Sequence, residues 1–149
     1  MNFPILSSLI LLPVVGSLFL LFSKDKNSNT GKYVALFTSF VNFLISLYLW
    51  YQFDPTTSDF QFVEDREWLK GIINYKIGID GISILFIVLT ALITPLCIIS
   101  VNNTVKDRLR DFLIAILVME SLMIGVFCSL DLVIFYLFFE AGLIPMFLI

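Results

Sequence analysis

Two glutamates stand where a membrane-spanning chain rarely keeps charge. Glu140 sits inside the otherwise uncharged apolar run Leu132 to Ile149. A carboxylate at that depth in a bilayer costs several kcal/mol unless it is paired, hydrated or protonated, so its chemistry is proton or ion handling. Burial without a partner favours the neutral acid and a neighbouring ammonium restores the charge, so a lysine that moves would load and unload a proton. Pro145 loosens the site, because it cannot donate to the Ala141 carbonyl, one residue past Glu140. Tyr136, one turn earlier, shares the Glu140 face. Glu120 is the second candidate, an auxiliary carboxylate with no helix breaker beside it. The alternative for either residue is a neutral acid hydrogen-bonded to a neighbouring helix.

The spacing of the pair defines the elements that carry it. A very short turn centred on Ser129 and Leu130 lies about ten residues from each glutamate. The flanking helices therefore form an antiparallel hairpin, and at about 1.5 Å per residue both carboxyls lie roughly 15 Å deep, near the membrane midplane. Helix rotation, which decides whether they face each other, stays open. No basic residue falls inside any proposed span, so a cationic partner for Glu140 must come from outside this sequence.

Composition places the whole chain in a membrane. Of 149 residues, 59% are hydrophobic and 14% charged, and the mean hydropathy is +0.99. The fold expected is an all-α multi-pass bundle of about five transmembrane helices with a short external loop or β-hairpin. The five runs are Pro4 to Phe22, Tyr33 to Phe53, Gly81 to Ser100, Phe112 to Cys128 (the shortest) and Leu132 to Ile149. Residues 1–78 hold the first two helices and the external segment, and 79–149 hold the other three. The first run lacks a basic flank and a small-residue cleavage site, so it reads as a retained helix. Lys24, Lys26, Lys32, Lys106, Arg108 and Arg110 fill the first and third connections, six of nine basic residues. That side is expected to be cytoplasmic and the N-terminus external. A net charge of -3 gives no nucleic-acid footprint. With no histidine, no CxxC, no GxGxxG and no Walker loop, the chain offers no recognisable haem, iron-sulfur, flavin or nucleotide site. Cys97 and Cys128 fall near opposite membrane faces, too far apart for a disulfide, and read as packing residues.

Smaller signals fill in the framework. Residues Ile73 to Ile79 alternate with a strand period, and either pair with Phe60 to Val63 in a hairpin, pair with another chain, or form a loop on the lipid surface. Trp68 is placed to anchor at the interface. Asp80, Asp111 and Asp131 precede the third, fourth and fifth helices as starting signals, with Ser129 a candidate N-cap for the fifth. Thr38, Asn42 and Ser46 share one face of the second helix, as do Asp80, Ser83, Thr90 and Thr94 on the third; such stripes serve helix packing or a hydrated path. Pro13 with Gly16, and Pro95, suggest kinks.

The run Ser129 to Ile149 (SLDLVIFYLFFEAGLIPMFLI) closely resembles the fifth-helix signature of the subunit M family of bacterial NADH-quinone oxidoreductase, respiratory complex I, which is chain 4 of the mitochondrial enzyme. Ile79 to Leu85 and the Met119-Glu120 pair look like that family's third and fourth helices. The resemblance covers essentially the whole chain. It implies an antiporter-like, proton-translocating subunit of an enzyme complex, in the plasma membrane of a bacterium or the mitochondrial inner membrane, beside other antiporter-like membrane-arm subunits. It also implies that NADH, FMN, iron-sulfur clusters and quinone act in other subunits, with no cofactor bound by this chain. In that family the glutamate matching Glu140 works with a lysine on a later broken helix. Paired inverted repeats begin after the third helix, so the chain is expected to hold roughly the first third of a subunit and to be truncated within the first repeat. Subunits of monovalent cation/proton antiporters and membrane-bound hydrogenases resemble it too, and form the alternative.

Overall fold

In hydrocarbon every backbone amide must find its partner within its own segment, which turns long apolar runs into helices. The computed structural model describes residues 4–24, 29–69, 71–101 and 107–148. Along the chain run α1 (Ile5–Phe22), α2 (Asn29–Gln52), β1 (Gln61–Leu69), β2 (Ile73–Ile79), α3 (Gly81–Ser100), α4 (Leu109–Cys128) and α5 (Leu132–Leu148). Among the described residues four helices, α1 to α4, are long and apolar enough to cross a membrane, and α5 is a shorter apolar helix. The ranking of lengths differs from the sequence expectation. Helix α4 starts at Leu109 rather than Phe112 and reaches 20 residues, because its first turn tolerates Arg110 and Asp111 without unwinding. Among the described residues helix α5 runs for 17, about 26 Å at 1.5 Å per residue.

Helix α1 packs between α2 and α4, α3 lies against α2 and α4, and α5 rests on α4. Two apolar clusters hold the bundle. One gathers Leu6, Leu9, Leu49, Ile84, Ile87 and Ile124 with Ile77 and Ile79 of β2. The other, toward the opposite end, gathers Leu20, Ala35, Ile98, Leu113 and Leu117. Small residues on α2, among them Gly31, Ala35, Ser39 and Ser46, are buried and let the helices approach closely. A Cβ on Gly16 of α1 would lie 2.7 Å from the Thr38 methyl.

The segment between α2 and α3 holds an antiparallel hairpin, β1 with β2, running from the Gln61–Ile79 pair to the Leu69–Ile73 pair. Its first strand extends well past the expected Phe60 to Val63. The ladder slips between Gln61 and Glu64, where Phe62 takes φ 54°. The hairpin is fastened at two places. Ser7 on α1 donates through Oγ to Glu64 and lies 3.3 Å from the Tyr75 hydroxyl. Leu130 N–H donates to the Lys76 carbonyl at 3.0 Å, and Ile77 bridges Ser129. The side chain of Trp68 lies outside the described residues.

The helix starts refine the acid pattern. Asp80 caps α3 as expected, its Oδ1 accepting from Ile82 N at 3.1 Å and Ser83 N at 2.8 Å. Those donors, led by Ser83 N–H, hold the Asp80 carboxyl below the usual carboxylate range. Asp131, not Ser129, caps α5, accepting from Val133 N at 2.8 Å. Ser129 instead donates to the Gly125 carbonyl at 2.6 Å, so its hydroxyl is turned back along α4. Asp111 sits inside the first turn of α4, following Arg108 at φ 56°. Arg110 donates through Nη1 to the Ser23 carbonyl at 2.9 Å, placing a cation at the negative end of α1.

Candidate functional site

The two glutamates of the α4–α5 hairpin point in different directions. Glu120 is 2% exposed and turned into the bundle. Its Oε1 accepts from Asn42 Nδ2 at 3.0 Å, across to α2. Glu140 lies on an exposed face of α5, where only Ile134 and Pro145 are buried among the described residues. Tyr136 is exposed as well. The shared depth read from sequence thus does not bring the two carboxyls together; α4 turns its polar face toward α2, and α5 turns Glu140 away from α4.

A polar layer surrounds Glu120 between the two apolar clusters. On α4 the order is Leu113 and Leu117 in one cluster, Glu120 and Ser121 in the layer, then Ile124 in the other. On α2, Ala35 and Leu49 bracket Thr38, Ser39, Asn42 and Ser46 in the same way. The hydroxyls in this layer are committed to backbone. Thr38 donates to the Val34 carbonyl, Ser46 to Phe43, and Ser121 to Ile10 across to α1. Two acceptors are left over: Glu120 Oε2 and Asn42 Oδ1 are buried without a hydrogen-bond partner among the described residues. The stripe on α2 was legible from its i, i+4, i+8 spacing, but its partner was not, since no spacing rule links Asn42 to a residue 78 positions on.

The α3 stripe splits. Asp80 works as a cap, whereas Thr90 and Thr94 donate to the carbonyls of Phe86 and Thr90 and line a cavity of about 470 Å³ with Cys97, Ser100 and Glu120. Cys97 is exposed and Cys128 buried, so only Cys128 is a packing residue in this bundle. Of the six basic residues assigned to one side, Lys24, Lys32, Arg108 and Arg110 are described, while Lys26 and Lys106 lie outside the described residues. Among the described residues, no group of three or more His, Cys, Asp or Glu is arranged to hold a metal ion.

Comparison with known proteins gives the family. The chain is 57% identical over 125 residues, 84% of its length, to NADH-quinone oxidoreductase subunit M of Rhodobacter capsulatus. It is 48% identical over 145 residues, 97% of its length, to NADH-ubiquinone oxidoreductase chain 4 of Marchantia polymorpha. The chain belongs to the subunit M and chain 4 family. A further subunit M, from Rickettsia prowazekii, is 40% identical over 153 residues, covering all of the chain. No protein-family model matches. The chain spans less than a third of the length of these curated relatives, 23% of the Rhodobacter protein, 29% of the Marchantia protein and 31% of the Rickettsia protein. As a stretch of a subunit M-type protein, it presents one carboxyl inside its bundle and one on an open face.

Proposed function

We propose that this chain is part of a proton-translocating membrane-arm subunit of an NADH-quinone oxidoreductase, in which quinone reduction in other subunits drives proton movement through Glu140. The observation that carries the reading is a carboxyl on an exposed face of an apolar helix, five residues before Pro145, in a chain related to subunit M. A carboxyl in that setting requires a partner brought by another segment or subunit, because an unpaired charge in hydrocarbon costs several kcal/mol. A lysine fits the requirement, since it stabilises the carboxylate when near and releases it to the neutral acid when far. The redox groups, NADH, FMN, iron-sulfur clusters and quinone, belong to other subunits in this reading, and other antiporter-like subunits flank the chain in the membrane. The basic connections face the cytoplasm, or the mitochondrial matrix, and the N-terminus faces the other side.

The test is Glu140→Gln in the full-length subunit assembled in its complex. Assembly is expected to persist, with pumping-coupled turnover falling by about ten-fold or more, as when a positioned proton carrier is removed. Near-normal turnover with intact coupling would sink the role given to Glu140.

A further inference from the structure

The leftover hydrogen-bonding capacity of the polar layer is specific. Asn42 and Glu120 already share one bond, Nδ2 to Oε1 at 3.0 Å, and the two atoms without partners are the other oxygens of the same two side chains. Both are acceptors when Glu120 is a carboxylate. What is missing is therefore a donor, and the surrounding hydroxyls direct theirs to backbone carbonyls. One proton on Oε2 turns one of the two leftover acceptors into a donor, the complement of the other. A protonated Glu120 and the Asn42 amide then have matched donors and acceptors, where a buried carboxylate leaves both oxygens over.

Among the described residues of the helices no cation reaches this layer. Among the described residues α1 carries no titratable side chain, α3 contributes only Cys97, and α5 brings Tyr136 and Glu140, both exposed. On α2 and α4 the basic groups, Lys32 and Arg110, lie in or near the first turns. Glu120 also lines a cavity of about 470 Å³ between α3 and α4, whose wall is apolar at Ile93, Ile116 and Met119 and polar along Thr90, Thr94 and Ser100 of α3. One end of that cavity, at Val101 and Phe112, adjoins the start of α4, where Arg108 and Arg110 stand.

We infer that Glu120 and Asn42 form a second proton-holding site, separate from Glu140, with Glu120 as the acid, Asn42 as its positioning residue and the cavity along α3 as its access from the basic end. Loading transfers one proton from hydronium in the cavity to Oε2 and leaves water; unloading reverses the transfer. The occupancy of the site stands on the hydrogen-bond geometry. Its use in transport rests on the proposed function.

Infrared difference spectroscopy on the full-length subunit in its complex, reconstituted in liposomes, separates the two. At neutral pH a carboxylic-acid C=O band is expected that disappears in Glu120→Gln and moves to higher frequency in Asn42→Ala, where the amide donor is lost. Its hydrogen–deuterium exchange is expected to slow about five-fold or more in Cys97→Phe, which narrows the cavity beside Thr94. Should Glu120→Gln fail to assemble, Asn42→Ala and carbon-13 labelling of glutamate still report the band. The inference is overturned if no acid band depends on Glu120 or Asn42, if sodium titration removes the band, or if Cys97→Phe leaves its exchange rate unchanged. Because the band is read without turnover, intact pumping in Glu140→Gln would overturn the proposed function while leaving this site standing.

Discussion

Replacing Gly125 by alanine tests how α5 is seated on α4, and two opposing effects decide its sign. A Cβ at Gly125 would lie 2.7 Å from Cδ1 and Cε1 of Phe138 and 2.9 Å from Cγ. Carbon atoms rest at about 3.5–4.0 Å, so ring or helix must give by roughly 1 Å. Overpacking of this kind costs about 1–3 kcal/mol. Against it, alanine gains up to about 1 kcal/mol over glycine in a helix interior. Phe138 borders a cavity of about 550 Å³ shared by α3, α4 and α5, which gives the ring space to turn and favours the lower half of the clash range. Gly125→Ala alone should then destabilise the α4–α5 pair by about 1 kcal/mol. In a Phe138→Ala background the clash is gone and the same substitution should stabilise by up to about 1 kcal/mol. The assay is a double-mutant cycle on equilibrium unfolding of the full-length subunit in mixed micelles, where the coupling between the two sites isolates the contact. An effect of Gly125→Ala that is the same in both backgrounds, within about 0.5 kcal/mol, would refute the seating of Phe138 on Gly125.

Two other predictions concern the hairpin end of the bundle. Asp80→Ala should cost about 1 kcal/mol by uncapping α3, and Asp80→Asn far less. The folded Asp80 carboxyl titrates below its ordinary value of 3.8, so its stabilising contribution is complete above that value and is lost as pH falls through the depressed one; acid unfolding curves should show this loss in the parent and not in Asp80→Asn. Ser7→Ala removes the hydroxyl shared with Glu64 and Tyr75, and should raise hydrogen exchange of the β1–β2 amides by about five-fold, the equivalent of a lost hydrogen bond of about 1 kcal/mol; unchanged exchange would mean that α1 does not hold the hairpin.

The features legible in the sequence were those set by local periodicity. Apolar runs predicted α1 and α3 to within a residue, and alternation predicted β2. The polar stripe of α2 also announced a buried face. Long-range choices were not legible. The rotation of α5 that exposes Glu140 is set by Gly125 admitting the Phe138 ring, and a lone glycine in a helix does not name its neighbour. Asn42 and Glu120 were each visible as polar residues in apolar runs, yet their pairing depends on α2 and α4 packing side by side. The cap of α5 was misplaced by two residues because Ser129 and Asp131 both suit a helix start. The α4–α5 turn decides between them, leaving Asp131 beside the first free amides while Ser129 bonds backward.

The bond between Leu130 and Lys76 has a mechanical consequence. It ties the α4–α5 turn to the hairpin, and the hairpin is in turn tied to α1 through Ser7. Helix α5 is therefore a lever anchored just before its first residue, Leu132, and a tilt of it pivots about that fulcrum. Glu140 lies about nine residues along, roughly 13 Å from the pivot, so a tilt of about 5° carries its backbone by only about 1 Å. The far end of the helix sweeps about twice that distance. A partner pushing on α5 beyond Pro145 thus works with mechanical advantage on the carboxyl, converting a coarse movement at one membrane face into a fine adjustment near the middle.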